Sequence, residues 1–198
     1  MKTATSDPSL VLASGSRFRR TLLERLGLRF ITVVPDVDEA PHPGESPAET
    51  ALRLAEAKAR EVGDRFPAAL VIGSDQVANF EGKVIGKPID RDDALAQLKS
   101  MRGRTIVFHT ALTLLNTASG HCQRALVDVA STFRSLDDSA LEAYVDRDQP
   151  YDCAGSVKAE SLGIALFTRI GSDDPTALIG LPLIRLTDML IAEGVHPL

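Results

Sequence analysis

The sequence predicts an α/β protein built on a mixed, partly antiparallel central sheet flanked by helices. Two observations carry this expectation. In the first half, short apolar runs alternate with capped segments of helical periodicity, as strand–helix–strand units require. In the second half, two long strand-like runs, Thr105 to Leu115 and Arg124 to Phe133, are joined by Asn116-Thr-Ala-Ser-Gly120, which reads as an antiparallel hairpin. At 198 residues the chain has ample material for a core, and a single domain over 1–198, or two lobes around one cleft, is expected.

The elements follow in order. Leu10-Val-Leu-Ala-Ser14 is an apolar run of strand length. Ser16 can cap a helix running to about Leu26, with Gly27 as its stop. Phe30 to Val34 reads as a strand, and Pro35 to Pro47, with four prolines and the acids Asp38 and Glu39, as a loop. Ser46-Pro47-Ala48-Glu49 is a capping box with proline at the first helical position, starting a helix to about Val62. That helix places Leu52, Ala55 and Ala59 on one face. Ala69 to Val77 is a strand with the polar triplet Ser74-Asp75-Gln76 near its end, and a turn around Gly82 returns Val84-Ile85 beside it. Asp90 caps a helix ending near Gly103. After the long hairpin, Leu136 to Val145 is helical, Gly163 to Thr168 a strand, and Leu183 to Glu193 a last helix stopped by Gly194.

Composition narrows the function. A formal net charge of −5 opposes a surface that coats nucleic acid, since backbone binding needs a basic footprint. Two cysteines, Cys122 and Cys153, make no disulfide framework and no zinc spacing, and the four histidines are scattered. No apolar run reaches the roughly 20 residues that span a bilayer. Met1 to Pro8 lacks a basic-then-apolar signal pattern, so a reducing cytoplasm is expected.

Four constellations could carry chemistry. Ser14-Gly15-Ser16-Arg17-Phe18-Arg19-Arg20 sits where a strand turns into a helix, and free N–H groups there favour an anion. Its arginines repel the helix dipole, a conflict that a bound polyphosphate would relieve; a solvated basic helix start is the plain alternative. Phe18 either extends the apolar stripe to Leu22 and Leu26 or stacks on a base. Asp75, on an apolar strand, would hold a metal or deprotonate water, or else merely initiate a turn. Lys58, near the buried side of its helix, and Lys87, in Gly86-Lys87-Pro88, are each a phosphate-binding charge or a solvated lysine. Cys153 to Gly163 is rich in small residues that let a ligand approach the backbone, and Glu160 within it reads by itself as a loop acid. The stretch Asp173 to Pro182 shows no chemistry of its own.

Taken together and in order, Leu12-Ala-Ser-Gly-Ser16 with Arg19-Arg20, Val37-Asp-Glu39, Ala57-Lys-Ala59, Gly73-Ser-Asp75, Gly86-Lys-Pro88, Ala154-Gly-Ser156 and Ile179-Gly-Leu-Pro182 resemble the Maf family of nucleotide pyrophosphatases. The resemblance runs from Leu10 to Leu198. It implies an elongated, Maf-like (ITPase-like) fold with a deep cleft, and hydrolysis of nucleoside triphosphates to monophosphate and diphosphate. It implies Asp75 as proton acceptor, with Ser14, Ser16, Arg19, Lys58 and Lys87 around the triphosphate. Glu39 would join Asp75 in holding a divalent cation, Mg²⁺ or Mn²⁺. The combination of Phe18, Gln76 and Glu160 resembles the branch acting on 7-methyl-GTP, although Arg17 stands where that pattern has proline and Phe18 where it has tryptophan. A methylated guanine carries positive charge, which an aromatic face and a carboxylate both attract. The rival readings are a dTTP/UTP pyrophosphatase of the same family and a non-catalytic nucleotide-binding regulator of division. A homodimer is left open; a polymer of nucleic acid and a membrane are not expected as partners.

Overall fold

The computed structural model describes residues 9–198, so the reading of Met1 to Pro8 lies outside the described residues. One seven-stranded sheet organises the chain. Its strands are β1 (Ser9–Ala13), β2 (Phe30–Val33), β3 (Ala69–Phe80), β4 (Lys83–Ile85), β5 (Thr105–Asn116), β6 (Cys122–Phe133) and β7 (Phe167–Gly171). The order is β2-β1-β3-β5-β6-β7, with β4 hydrogen-bonded to β3 off this path. Strands β2, β1 and β3 are mutually parallel, and β3 to β7 pair antiparallel. The mixed α/β architecture expected from the alternating pattern is therefore the one observed.

Five α-helices flank the sheet: α1 (Arg17–Glu24), α2 (Pro47–Gly63), α3 (Arg91–Met101), α4 (Asp138–Asp148) and α5 (Leu183–Ala192). Because side chains alternate across a strand, each strand supplies both faces. Leu10 and Leu12 of β1 join Leu22 and Leu23 of α1 and Leu186 and Leu190 of α5 in one buried cluster. Val11 and Ala13 point the other way, onto Ala59 and Val62 of α2. Helices α3 and α4 close over the far end of the first face through Leu98, Leu141 and Val145 against Phe108 and Val129.

The caps are where the sequence places them. Ser46 accepts from Glu49 N while Glu49 reaches back to Ser46 N, the complete capping box, worth about 1 kcal/mol. Ser16 accepts from Arg19 N, and Asp90 and Asp137 cap α3 and α4 likewise. The turn Glu81–Gly82, both residues at positive φ, closes the β3–β4 hairpin. Among the described residues no helix is long and apolar enough to cross a membrane.

Two placements differ from the sequence expectation. The run expected as a strand from Gly163 to Thr168 instead begins as a 3₁₀ turn, Leu162–Leu166, and the strand follows at Phe167–Gly171. Gly163 packs directly on the backbone of Lys158, where a Cβ would lie 2.4 Å from the Lys158 carbonyl oxygen; the chain curls to allow that contact before it can extend. Second, β3 continues to Phe80, so Asp75 lies within the strand and not near its end.

Candidate active site

Strand β3 explains why a carboxylate can be mid-strand and still reach a ligand. Its pairing with β1 ends at Gly73 and its pairing with β4 begins at Ala78. Residues 74–77 thus have no strand partner on that edge, and Asp75 lies in the gap. The gap opens at the carboxyl ends of the parallel strands, where β1 leads outward to β2 and the chain then crosses back to β3. Ligands gather at such a reversal of strand order. Ser14 follows β1 at this level, and Glu39 lies in the loop after β2. The β3–β4 register, continued past Ile85, brings Lys87 back alongside the same gap.

Helix α2 is drawn onto this edge by the absence of a side chain. A Cβ on Gly73 would sit 2.1 Å from the Ala55 carbonyl oxygen and 2.9 Å from the Ala59 Cβ, so only glycine permits the approach. With alanines at 51, 55 and 59 turned to the sheet, Lys58 is carried inward and is only 5% exposed. Its Nζ donates to Asp75 Oδ1 at 2.6 Å and lies 2.5 Å from Glu39 Oε1. One ammonium thus joins a carboxylate of strand β3 to one from the loop after β2. Asp75 Oδ2 has no hydrogen-bond partner among the described residues.

Arg19 approaches from α1. Its Nε donates to the Gly180 carbonyl oxygen at 2.8 Å and its Nη1 to Ser14 Oγ at 3.5 Å. Burial lowers the pKa of its guanidinium, opposed by the charges of Asp75 and Glu39. It nevertheless remains a cation, as arginine does in proteins. Burial raises the Glu39 carboxyl, but the Lys58 hydrogen bond and the charges of Lys58, Lys87 and Arg19 outweigh it, and the net shift is downward. Lys58, Lys87 and Arg19 therefore all act on one carboxylate. Ser14 Oγ also accepts from Ser16 N, which fixes the turn into α1.

The strand alternation sends Ser74 and Gln76 to the opposite face from Asp75. The Gln76 amide nitrogen lies 3.0 Å from Thr110 Oγ1, 3.0 Å from the Ala177 carbonyl oxygen and 2.9 Å from that of Leu178. Ser74 Oγ lies 2.9 Å from the Gly180 carbonyl oxygen. Both side chains hold the loop that orients Arg19. Gly180 itself takes φ +110, and a Cβ there would press within 3.3 Å of Arg19 Nε. The loop's other end is fixed by Asp174, 2% exposed, whose Oδ2 accepts from Ile184 N at 2.7 Å and so caps α5 in place of Pro182, which has no side chain able to do so. These contacts give the Asp173 to Pro182 stretch a positioning role that the sequence reading did not assign. A glycine between apolar residues in a loop was the signal; its partner, 161 residues away, was not visible.

Among the described residues no hydrogen bond or ion pair joins the Phe18 or Glu160 side chain to this cluster. Phe18 is half-buried on α1, beneath the Arg17 guanidinium at 4.6 Å from its ring centroid. Glu160 lies in the exposed part of the 153–163 loop. Its carboxyl is raised by burial first and then by the charges of Asp148 and Asp152, with Lys158 opposing. A separate groove of about 860 Å³ runs along the outer face of α2 between His42, Glu45, Arg53 and Arg124; neither Lys58 nor Asp75 lines it.

The loop carrying Glu39 is tied to α2 by Arg53, which donates to Glu45 at 2.6 and 2.8 Å and to the Ala40 carbonyl oxygen at 3.0 Å. The Arg53 hydrogen bonds, then the His42 amide, hold the Glu45 carboxyl at about 2, below its ordinary 4.5. A depressed folded-state pKa contributes stability that is present above pH 4.5 and lost as pH falls through about 2. Replacing Glu45 by Gln should therefore flatten the acid limb of melting temperature against pH over that window, and an unaltered limb would mean that the pair does not hold in solution.

For a divalent cation, Glu39 and Asp75 offer hard oxygen donors on either side of Lys58 Nζ, the chemistry that magnesium or manganese takes. Among the described residues no three His, Cys, Asp or Glu side chains gather as a cage. The donor set fits a cation completed by phosphate oxygens and water.

The Maf-like protein family matches residues 9–193. A 7-methyl-GTP pyrophosphatase of Ralstonia nicotianae is 58% identical over 96% of this chain and 96% of its own. Proteins of the same name from Thiobacillus denitrificans and Methylobacillus flagellatus are 56% and 53% identical, covering 98% and 95% of this chain and 96% and 98% of theirs. The chain belongs to the Maf family.

Proposed function

We propose that this chain is a nucleoside triphosphate pyrophosphatase that hydrolyses 7-methyl-GTP to 7-methyl-GMP and diphosphate. The observation that carries the reading is Lys58 Nζ held between Asp75 and Glu39, with Arg19 facing both carboxylates and Lys87 acting on Glu39. The site thus pairs an excess of donors for phosphate oxygens with one carboxylate oxygen, Asp75 Oδ2, free to receive a proton. Near-full-length relatives named 7-methyl-GTP pyrophosphatase support the substrate.

In this mechanism the triphosphate enters against the start of α1, where the first turn carries no acid and the Ser16 cap takes only the Arg19 amide, leaving those of Arg17 and Phe18 for an anion. Arg19, pre-oriented by Gly180 and Ser14, grips phosphate oxygens, and Lys58 and Lys87 complete the cradle. Asp75 Oδ2 takes a proton from water as the water oxygen bonds to the α-phosphorus and the bond from that phosphorus to the α–β bridging oxygen breaks. The departing diphosphate keeps the electron pair, and its charge is met by the basic side chains already in place. A divalent cation, when held by Glu39 and Asp75, supplies further charge neutralisation to the phosphates. Phe18 and Glu160 read the base, while Gln76 acts at one remove by holding the loop that aims Arg19. Two unpaired cysteines fit a reducing cytoplasm, and one sheet running from Ser9 to Gly171 supports reading the chain as one working unit.

The test is a panel of canonical and methylated nucleoside triphosphates with product identification, run on the parent and on Glu160→Gln. Diphosphate release with preference for 7-methyl-GTP is expected, and Glu160→Gln should erode that preference over GTP by about tenfold, the loss of one charge-assisted hydrogen bond. Release of orthophosphate, or equal turnover of dTTP and UTP, would refute the assignment.

A further inference from the structure

We infer that Arg17 is an internal competitor for the aromatic face of Phe18, and that this competition sharpens selection for a positively charged base. The inference rests on the reading of Phe18 and Glu160 as base-recognising residues, but it concerns a side chain to which that reading gives no role.

Phe18 begins the stripe that continues through Leu22 and Leu26. Leu22 is a member of the buried cluster beneath α1, and Leu26 packs against it; Phe18 does neither. Its ring is therefore not committed to the core. One face instead carries the Arg17 guanidinium, 4.6 Å from the centroid, in cation–π geometry. The same guanidinium lies 3.8 Å from Asp152 Oδ2. This contact ties the start of α1 to the loop that bears Glu160.

That loop is short of positive charge. Asp148 and Asp152 both act on Glu160, and Lys158 is pinned by the carbonyl oxygens of Asp148 and Gln149 at 2.9 and 2.8 Å. Lys158 reaches Asp152 Oδ1 at 3.3 Å, and Arg17 supplies the second cation from the opposite side. The Arg17 side chain is 72% exposed, so it can leave without opening a cavity.

An incoming base must take the face that Arg17 covers. A cationic base brings the charge that Arg17 removes, satisfying the ring and the acidic loop together. A neutral base displaces the guanidinium and can stack on the ring, but it brings no charge to the ring or to the acidic loop. Arg17 thus raises the cost of binding for neutral purines more than for a methylated one.

Arg17→Ala, measured beside the parent for kcat/KM on 7-methyl-GTP and GTP, tests this. The preference ratio should fall by about two- to fivefold, the size of an exposed cation–π contact, chiefly through a lower KM for GTP. Arg17→Lys, which keeps a cation, should hold the ratio near the parent's. A parent that prefers 7-methyl-GTP but shows the same ratio in Arg17→Ala would overturn the role of Arg17 alone. Equal losses on both substrates would make Arg17 a phosphate ligand and also overturn it. A parent without preference would sink the base reading, and this inference with it.

Discussion

Asp75→Asn lowers kcat by about 10² to 10⁴-fold, the contribution of a positioned general base, while nucleotide binding stays measurable. The substitution is nearly isosteric, and the amide oxygen can still accept from Lys58 Nζ, so α2 keeps its place on β3. What disappears is the acceptor at Oδ2, because an amide nitrogen cannot take a proton from water. Diphosphate release under saturating substrate, with binding followed by nucleotide-induced change in melting temperature, separates the two effects. Turnover at the parent rate would remove Asp75 from the chemistry. Loss of binding together with turnover would make it a structural partner of Lys58 and nothing more.

Much of this site is legible in the sequence because its parts sit on strong local signals. Ser16 caps α1 and Ser46 caps α2 as their neighbours predict, and the apolar runs at Leu10 and Ala69 are strands. Helical spacing also places Lys58 toward the buried side of α2, where it is found. What spacing cannot give is a partner far along the chain. That Lys58 meets both Asp75 and Glu39 depends on how closely α2 approaches β3, and Gly73 sets that distance through a contact with Ala55. The gap in β3 is likewise a property of two other strands, β1 ending at Ala13 opposite Gly73 and β4 ending at Ile85 opposite Ala78. Asp75 therefore looked like a strand-end residue when it is an edge residue. The shift of β7 has the same origin: Gly163 to Thr168 has strand composition, but the packing of Gly163 on Lys158 takes precedence over local preference.

Lys58→Met is expected to cost both activity and stability, and the way the two costs separate bears on the whole arrangement. Methionine preserves most of the side-chain volume, so the packing of α2 on β3 changes little. The charge is what is lost. Asp75, 7% exposed, is then a carboxylate without its cation, whereas Glu39 is exposed and can turn to water. Breaking a buried pair from one side costs about 3–5 kcal/mol, and the partial exposure of the cluster puts the expectation at the lower end. Adding Asp75→Asn to Lys58→Met should recover much of that loss, because the uncompensated charge is gone, yet restore no turnover. Chemical denaturation of the two single variants and the double variant gives the coupling directly. If the single effects simply add, Lys58 and Asp75 are independent in solution, and the ion pair that aims both the phosphate-binding ammonium and the proton-accepting carboxylate does not organise this site.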